Sequence, residues 1–217
     1  MKVAIIGATG FVGSNILNEL ISRNHDITAI ARNPEATKTQ NSQVKWVKAD
    51  VLQVEELSKV LAGNDVVISA FNAGWTNPNL YNDFLAGSRA IQSAVKKAGV
   101  KRFITIGGAG SLFAAPNLQF VDTPEFPAEY KAGATAARDY LNEIKNEKEI
   151  DWVFFSPALE MHPGISTGRT GQYRVGLDTP VFDADNRSIL SGEDLAVVIV
   201  DEAEQANHHH QRFTAAY

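Results

Sequence analysis

Short apolar runs that end in turn residues alternate along this chain with stretches whose apolar positions recur at helical spacing. Residues 3–6 (Val3-Ala4-Ile5-Ile6) form a β-branched run that stops at Gly7, and Val12, Ile16, Leu17, Leu20 and Ile21 then share one helical face. The pattern repeats as a strand over 26–31 stopped by Arg32-Asn33-Pro34, a strand over 44–47, a helix over 55–62 and a strand over 65–70. A long helix carries Phe84, Ile91, Val95 and Ala98 on one face and closes at Gly99, a C-cap, before a strand over 102–106. Strand and helix thus alternate five times, which predicts a parallel sheet covered on both faces by right-handed crossovers.

The second half is less regular. Residues 112–127 carry Pro116, Pro124 and Pro127 and no clear period, the signature of an active-site loop or lid. A helix over 128–146 places Tyr130, Ala134, Ala137, Leu141 and Ile144 on one stripe. A sixth strand over 151–156 is stopped by Pro157, residues 161–185 read as loops around a small hairpin, and a helix from 192 to about 206 precedes a last extended segment over 211–217. The expected architecture is α/β: a Rossmann-type doubly wound parallel sheet with helices on both faces in a single domain over 1–217, with 157–190 as a small C-terminal, substrate-side elaboration.

The first turn suggests what the sheet holds. Gly7, Gly10 and Gly13 are spaced G-x-x-G-x-x-G between a strand and a helix, the context in which such glycines cradle a pyrophosphate. Gly7 permits the tight turn, Gly10 lets backbone N–H groups reach the phosphates, and Gly13 lets the helix pack closely, while the helix N-terminus adds partial positive charge. A ligand in this fold lies at the carboxyl ends of the strands. The second strand ends in Ala31-Arg32 rather than in an acidic residue, so Arg32 either holds a 2′-phosphate, favouring NADP over NAD, or is a surface arginine on a turn. Asp50, followed by Val51, either accepts from the adenine amino group or caps the next helix. Ala70 and Phe71 end the fourth strand beside the expected nicotinamide ribose, and Gly107 and Gly108 end the fifth.

Composition narrows the alternatives. Hydrophobic content of 44% and charge of 21% are those of an ordinary globular protein, and a net charge of −5 argues against nucleic-acid binding on a broad basic surface. The chain has no cysteine, so thiolate chemistry, disulfides and cysteine metal sites are out of reach. No apolar stretch approaches membrane-spanning length and none reads as a signal peptide, so a cytoplasmic location without membrane contact is expected. No metal site is expected either: His208-His209-His210 reads as a solvated turn, since three consecutive histidines cannot all face one ion.

On these residues the chain resembles the atypical short-chain dehydrogenase/reductase group, in particular the NAD(P)H-binding proteins labelled NADH-flavin reductases and related to biliverdin/flavin reductases. The resemblance is carried by the glycine loop, Ala31-Arg32-Asn33-Pro34, Ala49-Asp50-Val51, Phe126-Pro127-Ala128-Glu129-Tyr130-Lys131, Asp151-Trp152, Ser156-Pro157-Ala158 and Gln211-Arg212-Phe213-Thr214, spread over nearly the whole length. It implies that Gly7, Thr9, Gly10, Phe11, Val12, Arg32, Asp50 and Val51 contact the cofactor and that Pro157 and Ala158 approach its nicotinamide end. Typical members of the wider superfamily pair a Ser and a Tyr with a Lys four residues after the Tyr, the Lys lowering the pKa of the Tyr proton donor. Here Ser111 and Tyr130 are the candidate catalytic pair, but position 134 is alanine and Lys131 lies about 100° around the helix. Flavin reduction needs no such relay, because the protein contributes mainly proximity and orientation. The expected hydride donor, on Arg32, is NADPH (NADH as an alternative), with a small-molecule acceptor such as FMN or FAD as the resemblance implies, and a monomer or homodimer is expected. A non-catalytic dinucleotide sensor and a sugar-nucleotide epimerase or dehydratase remain as the other readings.

Overall fold

The computed structural model describes residues 1–36 and 41–217. In chain order its elements are β1 (Lys2–Ile6), α1 (Phe11–Ser22), β2 (Asp26–Ala31), β3 (Val44–Lys48), α2 (Val54–Leu61), β4 (Val66–Ser69), α3 (Leu80–Ala98), β5 (Arg102–Ile106), β6 (Phe113–Ala115), β7 (Leu118–Gln119), α4 (Ala128–Ile144), β8 (Asp151–Phe155), β9 (Arg174–Gly176), α5 (Gly192–Gln205) and β10 (Gln211–Ala216). The main sheet runs β3-β2-β1-β4-β5-β8-β10-β9, parallel throughout except for β9, which pairs antiparallel with β10. This is the Rossmann-like α/β fold that the alternating pattern predicts. Strand order reverses between β1 and β4, and the crevice outside the carboxyl ends of those two strands is where such sheets bind ligands.

The two-residue period of the strands distributes their side chains between two cores. Val3 and Ile5 of β1, with Val153 and Phe155 of β8, join Ile16, Leu17 and Leu20 of α1 and Leu195 and Ile199 of α5. Their neighbours Ala4, Ile6, Trp152 and Phe154 face the opposite way, into the core built with α2, α3 and α4. Both faces being covered explains why the central strands read as continuous apolar runs rather than alternating ones. Gly99 closes α3 at φ 72° with its N–H on the Lys96 carbonyl, as a left-handed C-cap should. Among the described residues no helix is long and apolar enough to cross a membrane.

Three local expectations are revised. The expected hairpin within 161–185 is absent: β9 pairs with β10, some forty residues away, and sequence patterns cannot reveal so distant a partner. The 112–127 segment contains the short β6–β7 ladder with Asn117 at φ 62°, and it is tied down by the Phe113 N–H on the Asp178 carbonyl and by Arg138 on Asp122. Along α4, Ala134, Ala137, Leu141 and Ile144 are buried, but Tyr130 in its first turn is half exposed. The histidine tract does form the turn before β10, yet each ring takes a different partner. His208 turns inward onto the buried Glu202 (2.6 Å), His209 reaches Asp151 (2.9 Å), and His210 meets the Trp152 ring edge-on.

Candidate active site

Because the strands are parallel, their carboxyl ends share one rim, and the candidate residues follow it in strand order: Asp50 and Val51 after β3, Arg32 after β2, the glycine loop after β1, Ala70 and Phe71 after β4, Gly107 and Gly108 after β5, Pro157 and Ala158 after β8. The three glycines of the loop have different reasons to be there. Gly7 turns at φ 81°, and a Cβ on it would lie 2.6 Å from the Ala70 carbonyl oxygen. A Cβ on Gly13 would lie 2.0 Å from the Gly7 carbonyl oxygen, so α1 can start this close to the turn only without one. A Cβ on Gly10, in contrast, would come no nearer than 3.5 Å to anything, and its φ of −76° and ψ of 170° suit any residue. The fold requires Gly7 and Gly13 but leaves the space beside Gly10 open. Gly10 is also the N-cap of α1 and offers no side-chain acceptor to the first-turn N–H groups. An open, uncapped helix N-terminus flanked by the exposed Thr9 and Phe11 fits a dinucleotide pyrophosphate. Val12 is half-buried, and the Phe11 ring leans on α5, where a Cβ at Gly192 would come within 2.7 Å of it.

Arg32 is exposed and has no ion-pair partner among the described residues. Asp50 is exposed too; its carboxylate accepts from the Leu52 N–H (3.0 Å) and its carbonyl from the Gln53 N–H (3.0 Å), with Gln53 rather than Asp50 as the N-cap of α2. Val51 packs at the edge of the α2–α3 core. Ala70 donates its N–H to Ile6 and lies under Gly7. Phe71 lies over Gly87 of α3 and stacks on Phe84 with centroids 6.0 Å apart. Gly107 admits the Phe154 ring, which a Cβ would meet at 1.9 Å, and Gly108 turns its carbonyl towards Ser111. Pro157 and Ala158 are buried where β8 ends, Ala158 in the core shared with α1 and α5.

No hydrogen bond joins Ser111 to Tyr130. The Ser111 hydroxyl is fully buried, donates to the Gly108 carbonyl (2.8 Å) and pairs with the Ser156 hydroxyl (2.8 Å). Tyr130 meets the Trp75 ring edge-on at 5.6 Å. Ala134 is buried against Gly110, and Lys131 is exposed. Two further residues organise the site without standing out in sequence. Arg212, almost fully buried, donates to the Ser111 carbonyl and the Asp178 carboxylate and lies over the Phe113 ring, fastening the loop after β5 to β10. Gly133 makes room for Trp75, since a Cβ there would come 2.9 Å from the indole. The only sequence signal for Arg212 is its place in the Gln211-Arg212-Phe213-Thr214 segment, and a lone glycine inside a helical pattern is all that marks Gly133.

The model of the NAD(P)H-binding family matches residues 7–206, from the glycine turn to the end of α5. The chain belongs to the NAD(P)H-binding family. Its cofactor is accordingly a nicotinamide dinucleotide, and the family is oxidoreductase-like in character. Among its relatives is the uncharacterized protein YwnB of Bacillus subtilis, 37% identical over 216 residues, an alignment spanning 99% of this chain and 97% of that one. A Bacteroides thetaiotaomicron structure described as a "putative epimerase" superposes with a TM-score of 0.91 at 46% identity, covering 100% of this chain and 96% of the other. A Streptococcus pneumoniae structure described as a "putative NADH-flavin reductase" does so with a TM-score of 0.86 at 30% identity, covering 100% and 99%.

Proposed function

We propose that this protein is an NADPH-dependent reductase that passes a hydride to a free flavin or a similar planar acceptor. The observation that carries the reading is the state of Ser111 and Tyr130: one hydroxyl is buried and bonded to Gly108 and Ser156, the other half exposed beside Trp75, with alanine four residues further along α4. A proton relay to a substrate carbonyl has no support in that arrangement, since acid and partner must lie within hydrogen-bond reach. An acceptor that takes up the charge itself asks the protein only for binding and orientation. When bound, NADPH supplies the hydride, and with a proton from water the overall change is NADPH + H⁺ + FMN giving NADP⁺ + FMNH₂.

The chain's own contribution is positional. The open N-terminus of α1 beside Gly10 holds the pyrophosphate, and Arg32, with no anionic partner among the described residues, pairs with a 2′-phosphate. The Streptococcus relative's description supports the flavin as acceptor. This reading places the enzyme in the cytoplasm, with the pool of reduced dinucleotide. Steady-state NADPH oxidation with and without FMN, against a no-enzyme control, tests it. Saturable flavin-dependent turnover is expected. Tight NADPH binding that neither FMN nor a quinone converts into turnover would replace the reductase with a dinucleotide sensor. The Bacteroides relative's description favours one further arm, incubation with a sugar nucleotide and NAD⁺, in which formation of its epimer would identify an epimerase instead.

A further inference from the structure

We propose that Trp75 and Tyr130 together form the platform on which the planar acceptor stacks, an inference that rests on the reductase reading above. Trp75 is 57% exposed and Tyr130 49%, which makes them two of the largest apolar side chains left open to solvent. They come from different elements, the loop after β4 and the first turn of α4, yet their rings meet edge to face with centroids 5.6 Å apart. Single exposed aromatics are ordinary; two that converge from separate elements on the ligand rim are not.

The position follows from the topology. The first half of such a sheet, β1 to β3, takes the adenosine half of a dinucleotide, so the nicotinamide half falls on the side of β4 and β5. Trp75 lies in the loop directly after β4, and Tyr130 opens α4, the helix reached from β5 by way of β6 and β7. Their presentation is also fixed. The loop carrying Trp75 is held by the Asn72 side chain on the Gly74 N–H (2.7 Å), by the Asn77 N–H on the Gly74 carbonyl (3.0 Å) and by Asn77 on Asp83 (2.8 Å). One side of the indole lies against α4 where Gly133 has no Cβ, within reach of Leu80, and the phenol ring borders it on another. An aromatic surface held this way loses little side-chain freedom when a flat ring lands on it, which suits a stacking contact. Phe71, by comparison, packs on Gly87 and Phe84 and is not part of the platform.

The chemistry that recognises the acceptor is therefore its π-face. FMN is the probe, used with the full-length protein. Stacking of a ring on one aromatic side chain is worth roughly 5- to 150-fold in affinity. Trp75→Ala should raise the KM for FMN by about that factor, leave kcat within about threefold, and leave NADPH affinity unchanged. Trp75→Phe should restore most of the loss, and Tyr130→Phe, which keeps the ring, should raise the KM for FMN much less than Tyr130→Ala. The spectroscopic readout is FMN fluorescence titrated with protein in the presence of NADP⁺: a stacked indole quenches it, and Trp75→Ala should abolish the quenching. Wild-type KM and quenching in both alanine variants would overturn the platform and leave the reductase standing. A wild-type protein that binds NADPH but neither quenches nor reduces FMN would overturn both.

Discussion

Replacing Gly10 by alanine separates what the fold needs from what the ligand needs. In the folded chain the added methyl group meets only the Gly7 carbonyl oxygen at 3.5 Å, an ordinary contact, and φ −76°, ψ 170° is open to alanine. Alanine is a poorer N-cap than glycine by roughly 0.5–1 kcal/mol. The smaller conformational freedom of its unfolded chain returns about 0.4–1 kcal/mol. Stability should thus stay within about 0.5 kcal/mol of wild type. Binding should not. In the proposed binding mode the methyl group occupies the space through which the first-turn N–H groups would reach a phosphate, and a hydrogen bond to a charged group is worth about 1.5–3 kcal/mol. Loss of one such bond corresponds to a roughly 10- to 150-fold weaker Kd for NADPH. Calorimetric titration gives the Kd, and urea denaturation without ligand gives the stability. Gly13→Ala is the contrasting variant: its Cβ would stand 2.0 Å from a backbone oxygen, so the turn or α1 must move, at a cost of at least about 2 kcal/mol in stability. Gly10→Ala binding NADPH as tightly as wild type would refute the placement of the pyrophosphate, whatever Gly13→Ala does.

Other sites give independent tests. Arg32→Ala should weaken NADPH by about tenfold or more, the worth of one charge-assisted bond, and leave NADH nearly unchanged; equal losses for both in parallel titrations would remove the 2′-phosphate from that side chain. Glu202→Gln withdraws the carboxylate from Arg102 and His208 inside the protein, so urea denaturation should show a loss of about 3 kcal/mol while NADPH affinity holds, because the cluster lies at the amino ends of β5 and β8. The Glu147 carboxyl is opposed by burial, but the Glu149 N–H, Gln92 and Lys96 outweigh that and bring its pKa down from 4.5 to about 2. Its depressed pKa means that the stability it contributes is complete above about 4.5 and is lost as the pH falls towards 2. Glu147→Gln should therefore be less stable than wild type at neutral pH by denaturant titration, and the gap should close on that acid limb; a gap constant from pH 6 to 2.5 would show that the ionised carboxylate is not what matters.

Much of this molecule is readable from the chain because its central strands are buried on both sides and therefore announce themselves as continuous apolar runs. Val3 to Ile6 and Val66 to Ser69 needed no partner to be recognised, and the glycine spacing fixed where the first helix starts. Structure that depends on distant partners was not readable. Exposed β9, with Val175 open to solvent, has no periodic signal of its own and exists because β10 offers an edge. Tyr130 sits at the right helical spacing for the buried stripe, yet it lies one turn beyond where α4 meets the core, so burial stops at Ala134. The His208 ring turned inward for a reason invisible locally: the buried Glu202 carboxylate, paired with Arg102, also takes the His208 backbone N–H and meets its ring.

The candidate site divides along the same line. Gly7, Gly13, Gly107 and Gly133 are explained by atoms of the protein itself, each admitting a carbonyl or a ring that a Cβ would strike. Gly10, Arg32 and the Trp75–Tyr130 pair are not: one leaves space unused, one leaves a guanidinium without an anion among the described residues, and the last leaves two aromatic faces in water. Each departs from what local stability alone would select, and such departures concentrate where a fold serves a ligand. They also occur in order along the rim, after β2, after β1, after β4 and at the start of α4, the order in which the proposed 2′-phosphate, pyrophosphate and planar acceptor would lie. A protein whose only task was to sense the dinucleotide would have use for the first two and none for the third, so the aromatic pair is where reductase and sensor part company.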